Sequence, residues 1–187
     1  MTCRSFQIPS KVYLLTGLPC SGKSTIAIAL NKQLQNLGQP SIILDADDIR
    51  RDLWPELKYS PEDREENLRR FTSLAKRLSD QGLTVIMALL APYEVIRAKM
   101  RDTIGHKFVE VFVATPLSVC EERDVKGMYK KARTGEIKEF TGISAPFEVP
   151  QAPDITCFTQ DTIPEEEAAT ILDYVLKHEK MTEAMEE

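Results

Sequence analysis

The sequence predicts an α/β protein: a central parallel sheet of about five strands with helices on both faces. Three observations carry this. Short apolar runs alternate with stretches of helical period along the whole chain of 187 residues. The first apolar run stops on a glycine-rich turn that leads straight into a helix. No long polar tract divides the chain, so its 42% hydrophobic content is expected to build one core in one domain, residues 1–187.

Val12–Thr16 (VYLLT) reads as a buried strand ending at Gly17. Ile26, Ala27, Leu30, Leu34 and Leu37 then recur at helical spacing until Gly38 stops the pattern. Residues 41–44 form the second strand, and 45–52 read as a charged turn at its carboxyl end. Ser60, Pro61, Glu62 and Asp63 give an N-cap, a proline at the first helical position and acids in the first turn. That helix continues through Leu68, Phe71, Leu74, Ala75 and Leu78 to Gly82. The third strand is 83–90, with a helix beginning at Pro92. The fourth is 108–114, with a short helix opened by Thr115 and Pro116. A weaker fifth strand at 154–158 precedes an amphipathic helix over 163–178, and 179–187 read as a short polar, frayed tail. Between Arg123 and Pro153, about 30 residues lack a clear core pattern, which suits a functional lid or a disordered loop.

A net charge of −5 argues against a broad basic face for nucleic acid or a membrane surface. The residues Cys3, Cys20, Cys120 and Cys157 form no C-x-x-C pair, and no histidine stands at metal-ligand spacing. Reduced thiols and a cytoplasmic setting are expected. The N-terminus lacks the apolar core of a signal peptide, and the longest apolar run, 83–91, is too short to span a bilayer.

The chemistry begins at Gly17-Leu-Pro-Cys-Ser-Gly22-Lys23-Ser24, a full G-x-x-x-x-G-K-[ST] between a strand and a helix. Glycines let the backbone wrap phosphates, and successive N–H groups at a helix N-terminus donate to their oxygens. Lys23 is placed to reach the β- and γ-phosphates, and the Ser24 hydroxyl to ligate Mg²⁺. The expected fold is therefore a P-loop NTPase-type three-layer sandwich. Its ATP-binding residues are Gly17, Leu18, Pro19, Cys20, Ser21, Gly22, Lys23, Ser24 and Thr25.

Asp45, Asp47 and Asp48 follow the second strand, where mutual repulsion calls for a cation such as Mg²⁺. An acidic first turn of a helix is the other reading. Arg64, Asn67 and Arg70 share a helix face that could grip phosphate or sulfate, or simply pair with Asp63, Glu65 and Glu66. The run from Arg123 to Lys138 is cationic, suiting a ligand or a solvated face. Phe140 could stack on a base or anchor a loop.

Taken together and in order, these segments resemble the adenylyl-sulfate (APS) kinase family. The resemblance spans about residues 11–177 and rests on GLPCSGKST, LDADDIR at 44–50, YSPEDREENLRR at 59–70, APY at 91–93, the stretch 111–143 ending KKARTGEIKEFTGI, and FEVP at 147–150. It implies transfer of the ATP γ-phosphoryl group to the 3′-hydroxyl of adenosine 5′-phosphosulfate in sulfate assimilation, with Mg²⁺. Under it, Lys23 and Asp47 are catalytic, and Ser24 and Asp47 hold the metal. Arg50, Arg64 and Asn67 would grip the acceptor, with Tyr59 and Phe140 sandwiching its adenine. Lys126, Lys130 and Lys131 would belong to a mobile lid at about 123–150, and Arg123 would lie near the ATP adenine. A homodimer is implied by the resemblance alone.

This chain departs from the family at several positions. Ala46 and Asp48 stand where a glycine and an asparagine are usual, and Tyr59 replaces phenylalanine. A positive φ at Ala46 would strain the turn by about 1–2 kcal/mol. Ala91 replaces a serine proposed to carry phosphate, Val125 a proline, and Glu139 a glycine. The alternatives are a kinase of another small hydroxyl acceptor and a nucleotide-holding module without catalysis. A GTPase is not expected, because the N-K-x-D base-reading motif is missing and Asn31-Lys32-Gln33-Leu34 is only half of one.

Overall fold

The computed structural model describes residues 8–57 and 60–186, with the side chains at 47, 61 and 179–186 outside that description. Five parallel strands, β1 (Val12–Thr16), β2 (Ser41–Asp45), β3 (Thr84–Ala88), β4 (Phe108–Val113) and β5 (Ile155–Cys157), lie in the order β2-β3-β1-β4-β5. The crossovers are α1 (Lys23–Asn36), α3 (Pro61–Asp80) and α4 (Glu94–Ile104), and α7 (Pro164–Glu186) closes the chain. The helix that was expected to stop at His178 thus runs on to Glu186.

Period-two alternation along the central strand divides the core. Tyr13 and Leu15 face Ile26, Leu30 and Leu34 of α1 and Ile171 and Val175 of α7. Val12 and Leu14 face the opposite layer, with Leu68, Phe71 and Ala75 of α3 and Met100 and Ile104 of α4. Every residue of β1 and β3 is buried, as parallel strands covered on both faces require. Fully burying a side chain such as Phe71 stabilises the fold by about 1.5–3 kcal/mol.

Ser60 caps α3 as expected: its side chain accepts from the Asp63 N–H, with Pro61 in the first turn. The segment 45–52 is not a turn. Strand β2 extends through Asp45, and α2 (Ala46–Leu53) follows without a break. Ala46 and Ile49, three apart, pack on the α3–α4 layer together with Trp54, and this contact outweighs the helix's charged composition. Trp54 meets the Phe71 ring edge-on at 5.1 Å, and the Arg70 guanidinium lies 5.8 Å from its ring centre.

The stretch after Arg123 also holds more structure than expected. It follows α5 (Leu117–Arg123) and contains α6 (Met128–Arg133). Tyr129, Ala132, Phe140 and Cys120 form a small core of their own, against which Leu18, Cys20, Leu117, Ile137 and Ile143 pack. Contacts this sparse in sequence leave no periodic trace. Among the described residues, no helix is long and apolar enough to cross a membrane.

Candidate active site

The carboxyl ends of β1, β2 and β4 converge on one edge, where parallel α/β sheets bind ligands. The turn after β1 is tight, with the Ser21 N–H donating to the Leu18 carbonyl at 3.1 Å. Glycine is mandatory at two places in it. A Cβ on Gly17 would stand 2.6 Å from the Val113 carbonyl oxygen, and Gly22 enters α1 at φ 106°. Cys20 adopts φ 60° without being glycine.

Lys23 folds back over this loop, donating from Nζ to the carbonyls of Gly17 at 2.9 Å and Leu18 at 2.7 Å. Ser24 and Thr25 are exposed at the start of α1. The Ser24 hydroxyl donates to Asp45 Oδ2 at 2.7 Å, joining the phosphate loop to the end of β2. Asp47 lies in the first turn of α2, two residues beyond that contact.

The loop is fastened from its other side by Arg123, which the family resemblance placed near the ATP, and by two threonines that sequence reasoning did not single out. The Ser21 carbonyl accepts from Thr115 at 2.8 Å, Thr159 at 3.0 Å and Arg123 at 3.3 Å. Arg123 also donates to the Thr159 carbonyl at 2.7 Å. Thr115 and Thr159 follow β4 and β5 in the chain and meet only through the sheet order, so no local pattern signals them. Tyr129 adds a bond from its hydroxyl to the Pro19 carbonyl at 2.9 Å, tying α6 to the loop. Burial and the nearby Cys120 and Cys20 push this phenol's pKa up, so it remains a donor.

On the α3 side, Asn67 is buried and its Oδ1 has no hydrogen-bond partner among the described residues, while Arg64 is half-buried on the same helix. Arg70 is held by Glu66 at 2.8 Å and Glu56 at 2.5 Å, which realises the ion-pair reading for that residue. Arg50 lies half-buried in α2. Tyr59 falls outside the described residues. Lys126, Lys130 and Lys131 are exposed around α6. The N-terminus of that helix is satisfied by Asp124, which accepts from the Tyr129 and Lys130 N–H groups at 2.9 and 3.0 Å. Phe140 is buried edge-on against Tyr129 at 5.0 Å, so here it anchors the loop. An open groove of about 490 Å³ lies between Leu18 of the phosphate loop and the segment that contains Gly142, Ile143, Phe147 and Val149.

Of the departures from the family pattern, Ala46 is unstrained. It begins a regular helix and has no positive φ. Glu139 and Ala91 do adopt positive φ, at 56° and 39°.

The sheet, the glycine loop, and the lysine and serine at its helix end define a P-loop nucleotide-binding enzyme. The adenylylsulphate kinase family profile matches residues 9–158. The chain is 44% identical to an adenylyl-sulfate kinase of Staphylococcus epidermidis over 174 residues, covering 91% of this chain and 86% of that one. It is 51% identical to one from Rippkaea orientalis over 145 residues, covering 78% and 80% of the two chains. The structure of Mycobacterium tuberculosis APS kinase in complex with AMPPNP and APS superposes with a TM-score of 0.85 at 39% identity, covering 90% of this chain and 99% of that one. The chain belongs to the adenylyl-sulfate kinase family.

Proposed function

We propose that this chain transfers the γ-phosphoryl group of ATP to the 3′-hydroxyl of adenosine 5′-phosphosulfate, giving 3′-phosphoadenosine 5′-phosphosulfate and ADP. The observation that carries the residue assignment is the 2.7 Å contact between Ser24 and Asp45, which sets the phosphate loop against the start of α2. ATP phosphates take the loop of residues 17–25, with Lys23 exchanging its carbonyl partners for β- and γ-phosphate oxygens. Arg123 borders the ATP side, bonded to Thr159 and to the loop carbonyls.

The acceptor lies over α2 and α3, where Arg50, Arg64 and Asn67 meet its phosphosulfate and ribose. Tyr59 and Phe140 border its base, and Lys126, Lys130 and Lys131 close over both nucleotides. Phe140 must leave part of its contact with Tyr129 to reach a base. Asp47 accepts the 3′-hydroxyl proton as that oxygen bonds to the γ-phosphorus and the bond to the β-phosphate bridging oxygen breaks. A loose transition state asks mainly for positioning and charge neutralisation, which Lys23 supplies from one side.

The oxygen set of Ser24, Asp45 and Asp47 suits Mg²⁺, a hard cation that binds one or two protein oxygens beside nucleotide phosphates. When bound, Mg²⁺ neutralises charge on the β- and γ-phosphate oxygens. We further propose a cytoplasmic homodimer, supported by the family resemblance and by cysteines with no disulfide pattern.

The test is ADP release with Mg·ATP, comparing adenylyl sulfate with other hydroxyl acceptors and including Lys23→Ala. Turnover specific to adenylyl sulfate with a 3′-phosphorylated product, falling at least about 100-fold in Lys23→Ala, is the expected result. ATP binding without adenylyl-sulfate turnover would sink the proposal.

A further inference from the structure

Arg97 is the largest fully buried side chain in the molecule's described residues and plays no part in the chemistry above. It lies on α4, in the layer that also holds α3, opposite the layer of α1 and α7. Its guanidinium makes four contacts, to the start of α4 and the turn before it, to β4 and to the segment around Glu148. One NH group donates to the Ala91 carbonyl at 2.9 Å, and another to the Glu148 carbonyl at 2.8 Å. Nε pairs with buried Glu110 of β4 at 2.8 Å, and the remaining contact is to Glu94. Glu148 is held twice more: its N–H donates to the Pro92 carbonyl at 2.8 Å, and its carboxylate accepts from the Glu94 N–H at 2.6 Å.

The two chain segments fixed in this way are unusual. Ala91 follows β3 and has φ 39°, a conformation that must be held from outside. Glu148 stands between Phe147 and Val149, both of which line the groove beside Leu18. Phe147 stacks on Phe112 at 6.1 Å, so the groove wall rests on the sheet at one residue and on Arg97 at the next. A planar fork with fixed donors can clamp two carbonyls and a carboxylate together, which a lysine cannot do.

We infer that Arg97 is a positioning residue for the acceptor side of the site: it fixes the Ala91 turn and the 147–149 wall against β4 and so sets the geometry in which adenylyl sulfate is held. The ATP side, anchored through Ser21, Thr115, Thr159 and Arg123, shares none of its partners. The inference rests on the adenylyl-sulfate kinase reading. It deepens that reading by assigning the two substrates to separately supported halves of the site.

The experiment is steady-state kinetics of the full chain with each substrate varied in turn, for wild type, Arg97→Lys and Glu148→Ala. Arg97→Lys keeps the charge beside Glu110 and loses the fork; Glu148→Ala leaves the buried pair intact and removes only the carboxylate cap on α4. The expected result is a KM for adenylyl sulfate raised about tenfold in Arg97→Lys and less in Glu148→Ala, with the KM for ATP within twofold of wild type. Equal rises for both substrates, or a loss of kcat alone, would mark Arg97 as generally structural and overturn the inference. If Arg97→Lys does not fold, Glu148→Ala tests the wall that Arg97 holds: a KM for adenylyl sulfate unchanged there overturns the assignment of the 147–149 segment to the acceptor side. An active wild type with unshifted variants removes this inference alone, whereas a wild type inactive on adenylyl sulfate removes the functional reading with it.

Discussion

The Ser24 hydroxyl and the Asp45 carboxylate meet at 2.7 Å across the gap between the phosphate loop and β2. The contact adds Asp45 to the residues proposed to face Mg²⁺. Asp45→Asn retains the shape and removes the charge. Its kcat/KM is expected to fall about 10–100-fold, with a higher Mg²⁺ concentration needed for half-maximal rate. A Mg²⁺ titration of the two proteins checks this, and an unchanged midpoint would show that Asp45 only orients the serine.

Gly17→Ala puts a methyl group 2.6 Å from the Val113 backbone oxygen, and neither can move without shifting β1 against β4. ATP affinity is expected to drop at least about tenfold, equivalent to about 1.4 kcal/mol. Calorimetric titration with a non-hydrolysable ATP analogue measures it. Wild-type affinity would mean that the loop can relax around a Cβ.

Glu139 tests backbone strain in the stretch after α6. At φ 56° a non-glycine residue carries about 1–2 kcal/mol of strain, and glycine adds back about 0.4–1 kcal/mol of unfolded-state entropy. Glu139→Gly is therefore expected to stabilise the chain by roughly 0.5–1 kcal/mol, about 1–4 °C in Tm for a domain of this size. Thermal unfolding of the variant decides it, and a lower Tm would show that the Glu139 side chain compensates for its own backbone.

Glu66 gives a pH dependence. Hydrogen bonds from Arg69 and Arg70 hold its carboxyl at about 2, below the ordinary 4.5. Because the folded pKa is depressed, its contribution is fully present above about pH 4.5 and is lost as pH falls towards 2. The group is exposed, so the effect is shallow. Glu66→Gln should flatten the acid-side decline of Tm within that window and leave it unchanged at pH 7 and above, apart from a constant offset. Parallel curves for the two proteins would contradict this.

Much of the fold was legible because its signals are local. The apolar runs of β1 and β3, the glycine loop and the Ser60-Pro61 cap each need only a few neighbouring residues. Helix α2 was legible only as the second reading of a charged turn: three carboxylates and two arginines in eight residues hide the Ala46–Ile49 stripe that packs it. Asp45 was grouped with Asp47 and Asp48, but its contact with Ser24, 21 positions away, could not be read from their spacing. Thr115, Thr159 and Arg97 are invisible for a different reason. Their partners lie 94, 138 and 51 positions away in the chain, and only the strand order brings them together.

The chain has a single tryptophan, and the fold places it at the junction of α2 and α3, edge-on to Phe71 and beside the Arg70 cation. Indole emission responds to the position of a neighbouring charge, so any shift of Arg70 relative to this ring changes the fluorescence. The molecule thus contains a native tryptophan reporter on the half of the site proposed for the acceptor and none on the half anchored by Arg123 and Thr159. Stopped-flow mixing can thus time the arrival of the acceptor without attaching a dye.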